Sequence, residues 1–198
     1  MIYGVLIWHV LTQRILPLSW KYKGNIQGIV GEKYVDKHLR NELGDENLII
    51  RDLKLRGEHG NIDHAVIGKN GIYVIETKTH QGKIKCYNDD WYQVKNNNSK
   101  KLGYSPSKQV VYNVVQLKKF LEKYYPKLSN YYINALIIAP FQEGTIEVHK
   151  APTNCKIFND VNELIAFIHE SREKVSIEKN ELNNLKKLLE DNVEYMET

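Results

Sequence analysis

Asp63, Glu76 and Lys78 are the residues of this chain whose types and spacing could do chemistry. They lie in Ile62-Asp63-His64-Ala65-Val66-Ile67 and Ile72-Tyr73-Val74-Ile75-Glu76-Thr77-Lys78, separated by Gly68-Lys69-Asn70-Gly71. Two β-rich runs around a turn-forming stretch predict a hairpin. A tip at Lys69-Asn70 sets Asp63 opposite Glu76; a tip at Asn70-Gly71 sets it opposite Lys78. In either register all three side chains share one sheet face, because strand side chains alternate. Directly opposed Cβ atoms lie about 4.5–5.5 Å apart. Charges at the ends of apolar strands are costly to bury. Two carboxylates that close repel unless a cation lies between them. A magnesium-type ion suits that donor set, with few protein oxygens and the rest from water and phosphate. The plainer alternative is a cross-strand salt bridge on a half-exposed face, which contributes little.

The elements that must position these residues follow from periodicity. Gly28, Glu32, Val35, Leu39 and Leu43 fall on one line of a helix predicted over 27–43. Glu32 therefore belongs to its inward stripe, and Gly31 beside it permits close backbone approach. A strand is expected at 47–53, before the hairpin. A second hairpin is expected at 83–87 and 91–94, turning at Asn88-Asp89-Asp90, with a basic loop at 95–101. Ser105 caps a helix with Pro106 in its first turn, and Val110, Val114, Leu117 and Leu121 form its apolar line. An apolar run at 133–139 has the length of a buried strand. Short strands near 145–148 and 156–158 and amphipathic helices near 160–170 and 178–192 complete an α/β order, with a mixed sheet between helices.

Composition narrows the function class. The 198 residues suit one domain, and a net charge of +4 is compatible with a polyanionic partner without requiring one. Cys86 and Cys155 are far apart in sequence and form no CxxC pair, which argues against a zinc site or a disulfide framework and for a reducing, cytoplasmic setting. Residues 1–11 are almost wholly apolar and 15–20 largely so, a run shorter than a spanning helix needs. Residues 1–20 read either as a membrane-leaning anchor, with Trp8 and Trp20 at the interface, or as a segment packed on the domain or on a second copy of the chain. Tyr22-Lys23-Gly24-Asn25 reads as a linker. The expected organisation is an N-terminal segment over 1–24, a core over 25–140, and C-terminal strands and helices over 141–198. Lys83, Lys85, Lys95, Lys100 and Lys101, with Tyr87, Trp91 and Tyr92 between them, read equally as a phosphate-and-base surface or as a solvated hairpin edge. Trp91 suits a core anchor better than a stacking platform.

Gly31-Glu32, Ile62-Asp63-His64, Gly71 to Lys78, Gly82-Lys83-Ile84 and Trp91 together resemble the nuclease-related domain, NERD, within the PD-(D/E)xK superfamily. The resemblance spans about 27–120. It implies a restriction-endonuclease-like three-layer α/β sandwich and magnesium- or manganese-dependent cleavage of nucleic acid, DNA foremost. Carried over, Asp63 and Glu76 would hold the metal. Lys78 would orient or help deprotonate the attacking water. Glu32 would add a carboxylate, direct or through water, and Gln109 a polar group. Ile62 stands where the superfamily's name has proline. A non-catalytic nucleic-acid-binding module and a membrane-linked interaction protein are the competing readings.

Overall fold

The central hairpin takes the first of its two registers. In the computed structural model, β2 (Ile62–Gly68) pairs antiparallel with β3 (Gly71–Thr77), with Ile67 opposite Ile72 and His64 opposite Ile75. Lys69 and Asn70 form the tip, and Gly71 leaves it at φ +137°, a conformation that suits glycine. The structure describes residues 16–55, 60–80, 82–95, 98–142, 144–171 and 174–192, and for 16–25 the backbone alone.

A five-stranded mixed sheet grows from this hairpin. β1 (Asn47–Leu53) flanks β2 antiparallel, while β7 (Ile133–Ile138) and β9 (Lys156–Phe158) extend β3 in parallel. One sheet face packs on α1 (Leu16–Leu43) and α4 (Val161–His169), joining Val35 and Leu39 to Val66, Ile75, Leu136 and Leu164. The other face packs on α2 (Pro106–Tyr124) and α5 (Lys179–Asn192), joining Ile67, Val74 and Ile137 to Val110, Leu117 and Leu185. Because both faces are covered, β3 is buried along its whole length. The result is the expected α/β sandwich, with mixed β-structure flanked by helices.

The second hairpin leaves this sheet. β4 (Lys83–Tyr87), β5 (Asp90–Lys95), β6 (Asn98–Lys101) and β8 (Ile146–Lys150) form a separate sheet in the order β6-β5-β4-β8. Trp91 is its anchor in the core, as expected, and its indole N–H donates to Ser107 Oγ at 3.2 Å. The short helix α3 (Pro126–Ser129) turns the chain from α2 into β7.

Two expectations are corrected. The linker at 22–25 is helical, because α1 runs unbroken through it. A glycine inside a helix costs only about 1 kcal/mol, too little to end a helix of 28 residues. The loop expected at 95–101 contains strand β6, paired with β5 from Tyr92–Lys101 to Lys95–Asn98. Every residue of β6 is exposed, so it carries no apolar alternation to betray it. The readings placed on residues 1–15 lie outside the described residues. Among the described residues, no helix is long and apolar enough to cross a membrane.

Gly31 seats α1 against the outgoing end of β3. A Cβ on Gly31 would run into the Thr79 side chain and would lie 3.5 Å from the Phe141 ring. Thr79 is β-branched and has little room to yield. Gly31→Ala is expected to cost about 1–3 kcal/mol by overpacking, read as a lower urea midpoint. An unchanged midpoint would mean that this contact does not hold the helix in place.

Candidate active site

Asp63 and Glu76 sit where the β2–β3 ladder runs out. Beyond the His64–Ile75 pair, Asp63 turns its carboxylate onto the backbone, and Oδ2 accepts from Thr77 N at 2.7 Å. Glu76 is only 2% exposed and takes a donor on each oxygen. Its Oε1 accepts from Lys78 Nζ at 2.6 Å, and its Oε2 lies 3.5 Å from Asn113 Nδ2. Lys78, just past the strand end, keeps its backbone tied to β7 by donating to the Ile138 carbonyl at 2.8 Å. Its ammonium also donates to Gln109 Oε1 at 3.2 Å and faces the Tyr104 ring, 5.3 Å from the centroid. Helix α2 thus closes the site from above. Gln109 holds the lysine, and Asn113, one turn on, holds the glutamate and donates to the Asn61 carbonyl at 3.0 Å.

The charges do not balance. Burial, reinforced by Asp63, pushes the Glu76 carboxyl up to about 7 although Lys78 opposes it. Burial also raises Asp63, against the Thr77 amide and the lysine. Glu32, on α1, is raised to about 7 by burial and then by Asp63 and Asp52. Burial presses Lys78 toward its neutral form. Glu76, with help from Tyr104 and Asp63, outweighs this and holds it as an ammonium. Asp52 adds exposed negative charge from a left-handed backbone at φ +58°, braced by Asn61.

The expected site residues therefore separate into groups. Glu76, Lys78 and Gln109 form one bonded cluster, Asp63 is tied beside it to the Thr77 backbone, and Glu32 joins through its field. Among the described residues, no three His, Cys, Asp or Glu side chains stand ready-grouped to hold a metal ion. Magnesium asks for less, since one or two carboxylates with water and phosphate suffice.

His64 points away from Asp63 on the alternating strand, and burial pushes it down to about 4. Lys83, Lys85 and Lys101 share the outer face of the second sheet by register. Two of them are already paired, Lys83 with Glu147 at 3.7 Å and Lys101 with Asp90 at 2.6 Å. Lys95 and Lys100 take the opposite face by the same register. Asn113 and Tyr104 went unread in the sequence. The signal for Asn113 was a polar residue four positions after Gln109, against the apolar line of the helix. Tyr104 carried none beyond its nearness to Ser105.

An α/β sandwich with a buried glutamate, a half-buried aspartate and a lysine at the end of its mixed sheet fits a restriction-endonuclease-like class. The chain belongs to the nuclease-related domain family, whose profile matches residues 27–140, more than half its length. No curated protein and no solved structure matches it.

Proposed function

We propose that this protein is a divalent-metal-dependent nuclease that hydrolyses phosphodiester bonds of nucleic acid, DNA foremost. One observation carries the reading. A buried carboxylate, Glu76, and a half-buried one, Asp63, lie in each other's field, the Lys78 ammonium contacts Glu76 alone of the two, and Glu76 is held near neutrality. The donors fit magnesium or manganese, being hard oxygens on a rigid strand end. Asp63 and Glu76 would hold the ion, with Glu32 reached directly or through water. A bound divalent ion supplies charge relief at the phosphate and a more acidic water.

The chain's own groups do the positioning. Thr77 N fixes the rotation of the Asp63 carboxylate. Asn113 fixes Glu76 from the side opposite Lys78. Lys78 is an ammonium in this arrangement. It therefore acts by holding negative oxygen, on the attacking water or on the phosphate, rather than by starting as a free base. Gln109 keeps that ammonium from swinging into solvent.

The test is cleavage of single-stranded and duplex DNA and of RNA, with magnesium, with manganese and with EDTA, against Glu76→Gln. Cutting that needs the metal and vanishes in the variant is the expected result. Cutting that persists in Glu76→Gln would trace the activity to something other than this site. Binding without cutting in any metal would leave a nucleic-acid-binding module.

A further inference from the structure

The geometry points to Tyr104 as a stacking platform for a nucleic-acid base, so that the site takes a strand whose base beside the cleaved phosphate is unpaired. This rests on the nuclease reading and names its substrate class. Tyr104 is 55% exposed, yet its ring stands against Lys78 at the site itself. It does not hang on a free loop. On one side Leu102 N donates to the Trp91 carbonyl at 2.7 Å, and Trp91 is a fully buried anchor. On the other, Ser105 caps α2 by accepting from Lys108 N. The ring is therefore presented to solvent by backbone pinned on both sides.

A cation for the phosphate and an aromatic face for the base are the two parts from which single-strand binding is built. Here they lie side by side. In a duplex, bases are enclosed in the stack and cannot meet such a ring without being extruded. The position also separates Tyr104 from other exposed tyrosines. Tyr132 is more exposed, at 61%, but it precedes β7 at the end of the sheet away from Glu76. It carries no site residue beside it and serves as the control.

The test uses the full chain, with calcium replacing magnesium so that binding is read apart from cutting. Fluorescence anisotropy follows labelled oligo-dT, the same strand in duplex with oligo-dA, and an all-abasic strand of equal length. The wild type should bind oligo-dT about ten-fold tighter than the abasic strand. Tyr104→Ala should lose that advantage and bind both alike. Tyr104→Phe and Tyr104→Trp should keep it, and Tyr132→Ala should match the wild type. Equal weakening on both strands would show that the tyrosine acts through Lys78, and the proposal would be overturned. Unchanged binding by Tyr104→Ala, or no binding of any strand by the wild type, would overturn it too. Cleavage of the same strands in magnesium separates the two ideas. Cutting without a base-dependent preference removes Tyr104 and keeps the nuclease. A base-dependent preference without cutting keeps Tyr104 as a binding residue and removes the nuclease.

Discussion

Lys78→Met is expected to slow cleavage about 10²–10⁴-fold while the protein stays folded. Methionine has similar length and fills the space beneath Tyr104 without a charge. The variant loses two contacts, to Glu76 Oε1 at 2.6 Å and to Gln109 Oε1 at 3.2 Å. It also removes the cation that contacts Glu76 and lies in the field of Asp63. Metal binding should therefore survive or strengthen, because the ammonium no longer competes for Glu76. Lys78→Arg should not restore the rate, since a planar guanidinium cannot occupy the ammonium's position between two side-chain oxygens. Single-turnover cleavage, with circular dichroism melting as the folding control, decides this. Cutting by Lys78→Met at the wild-type rate would take the lysine out of the mechanism.

The second large effect links metal, pH and stability. Glu76 is raised in the folded protein from 4.5 to about 7. The folded state therefore keeps a proton that the unfolded state has released, and stability is lost as pH rises through that window. Glu32 shifts the same way, with a smaller share because it is only half-buried. His64 works in the opposite direction. It is lowered from 6.5 to about 4, so stability is lost as pH falls through that range. Above pH 6.5 the carboxylates act without it. The metal-free protein should then lose up to about 1 kcal/mol per pH unit between pH 6.5 and 7, and the loss should level off toward pH 8 as the folded carboxylate also ionises. Magnesium needs ionised ligands, so its stabilisation should be small near pH 5.5 and large near pH 8. At a hundred times its Kd it adds about 2.7 kcal/mol. Thermal melts with magnesium and with EDTA across this range make the measurement, and Asp63→Asn and Glu76→Gln should each remove the magnesium gain. Equal gains in the wild type and both variants would rule out a metal site on this acidic pair.

Much of this arrangement was legible in the residues themselves. Alternation in two short apolar runs placed Asp63 and Glu76 on one face whichever turn was chosen. The stripe from Gly28 to Leu43 placed Glu32 on its inward line and put beside it Gly31, which permits close backbone approach, and the Gly31–Thr79 contact agrees with that approach. These are local properties, set by strand and helix periods and by the absence of a Cβ. The apolar line of α2 and the core role of Trp91 are of the same kind.

Tertiary structure decided the rest, because the deciding partners are far apart in the chain. Only the folded register chose between Glu76 and Lys78 as the neighbour across from Asp63. Only packing brought Gln109 and Asn113 onto the ends of Lys78 and Glu76, and an asparagine interrupting an apolar line says nothing of which carboxylate it will meet. The departure of β4 and β5 into their own sheet, and β6 beside them, depended on pairing with β8, whose exposed residues carry little pattern. The shared charge state of the acidic pair belongs to the fold in the same way. Desolvation is a property of what surrounds a group, and no spacing within a strand determines how much protein will cover its end.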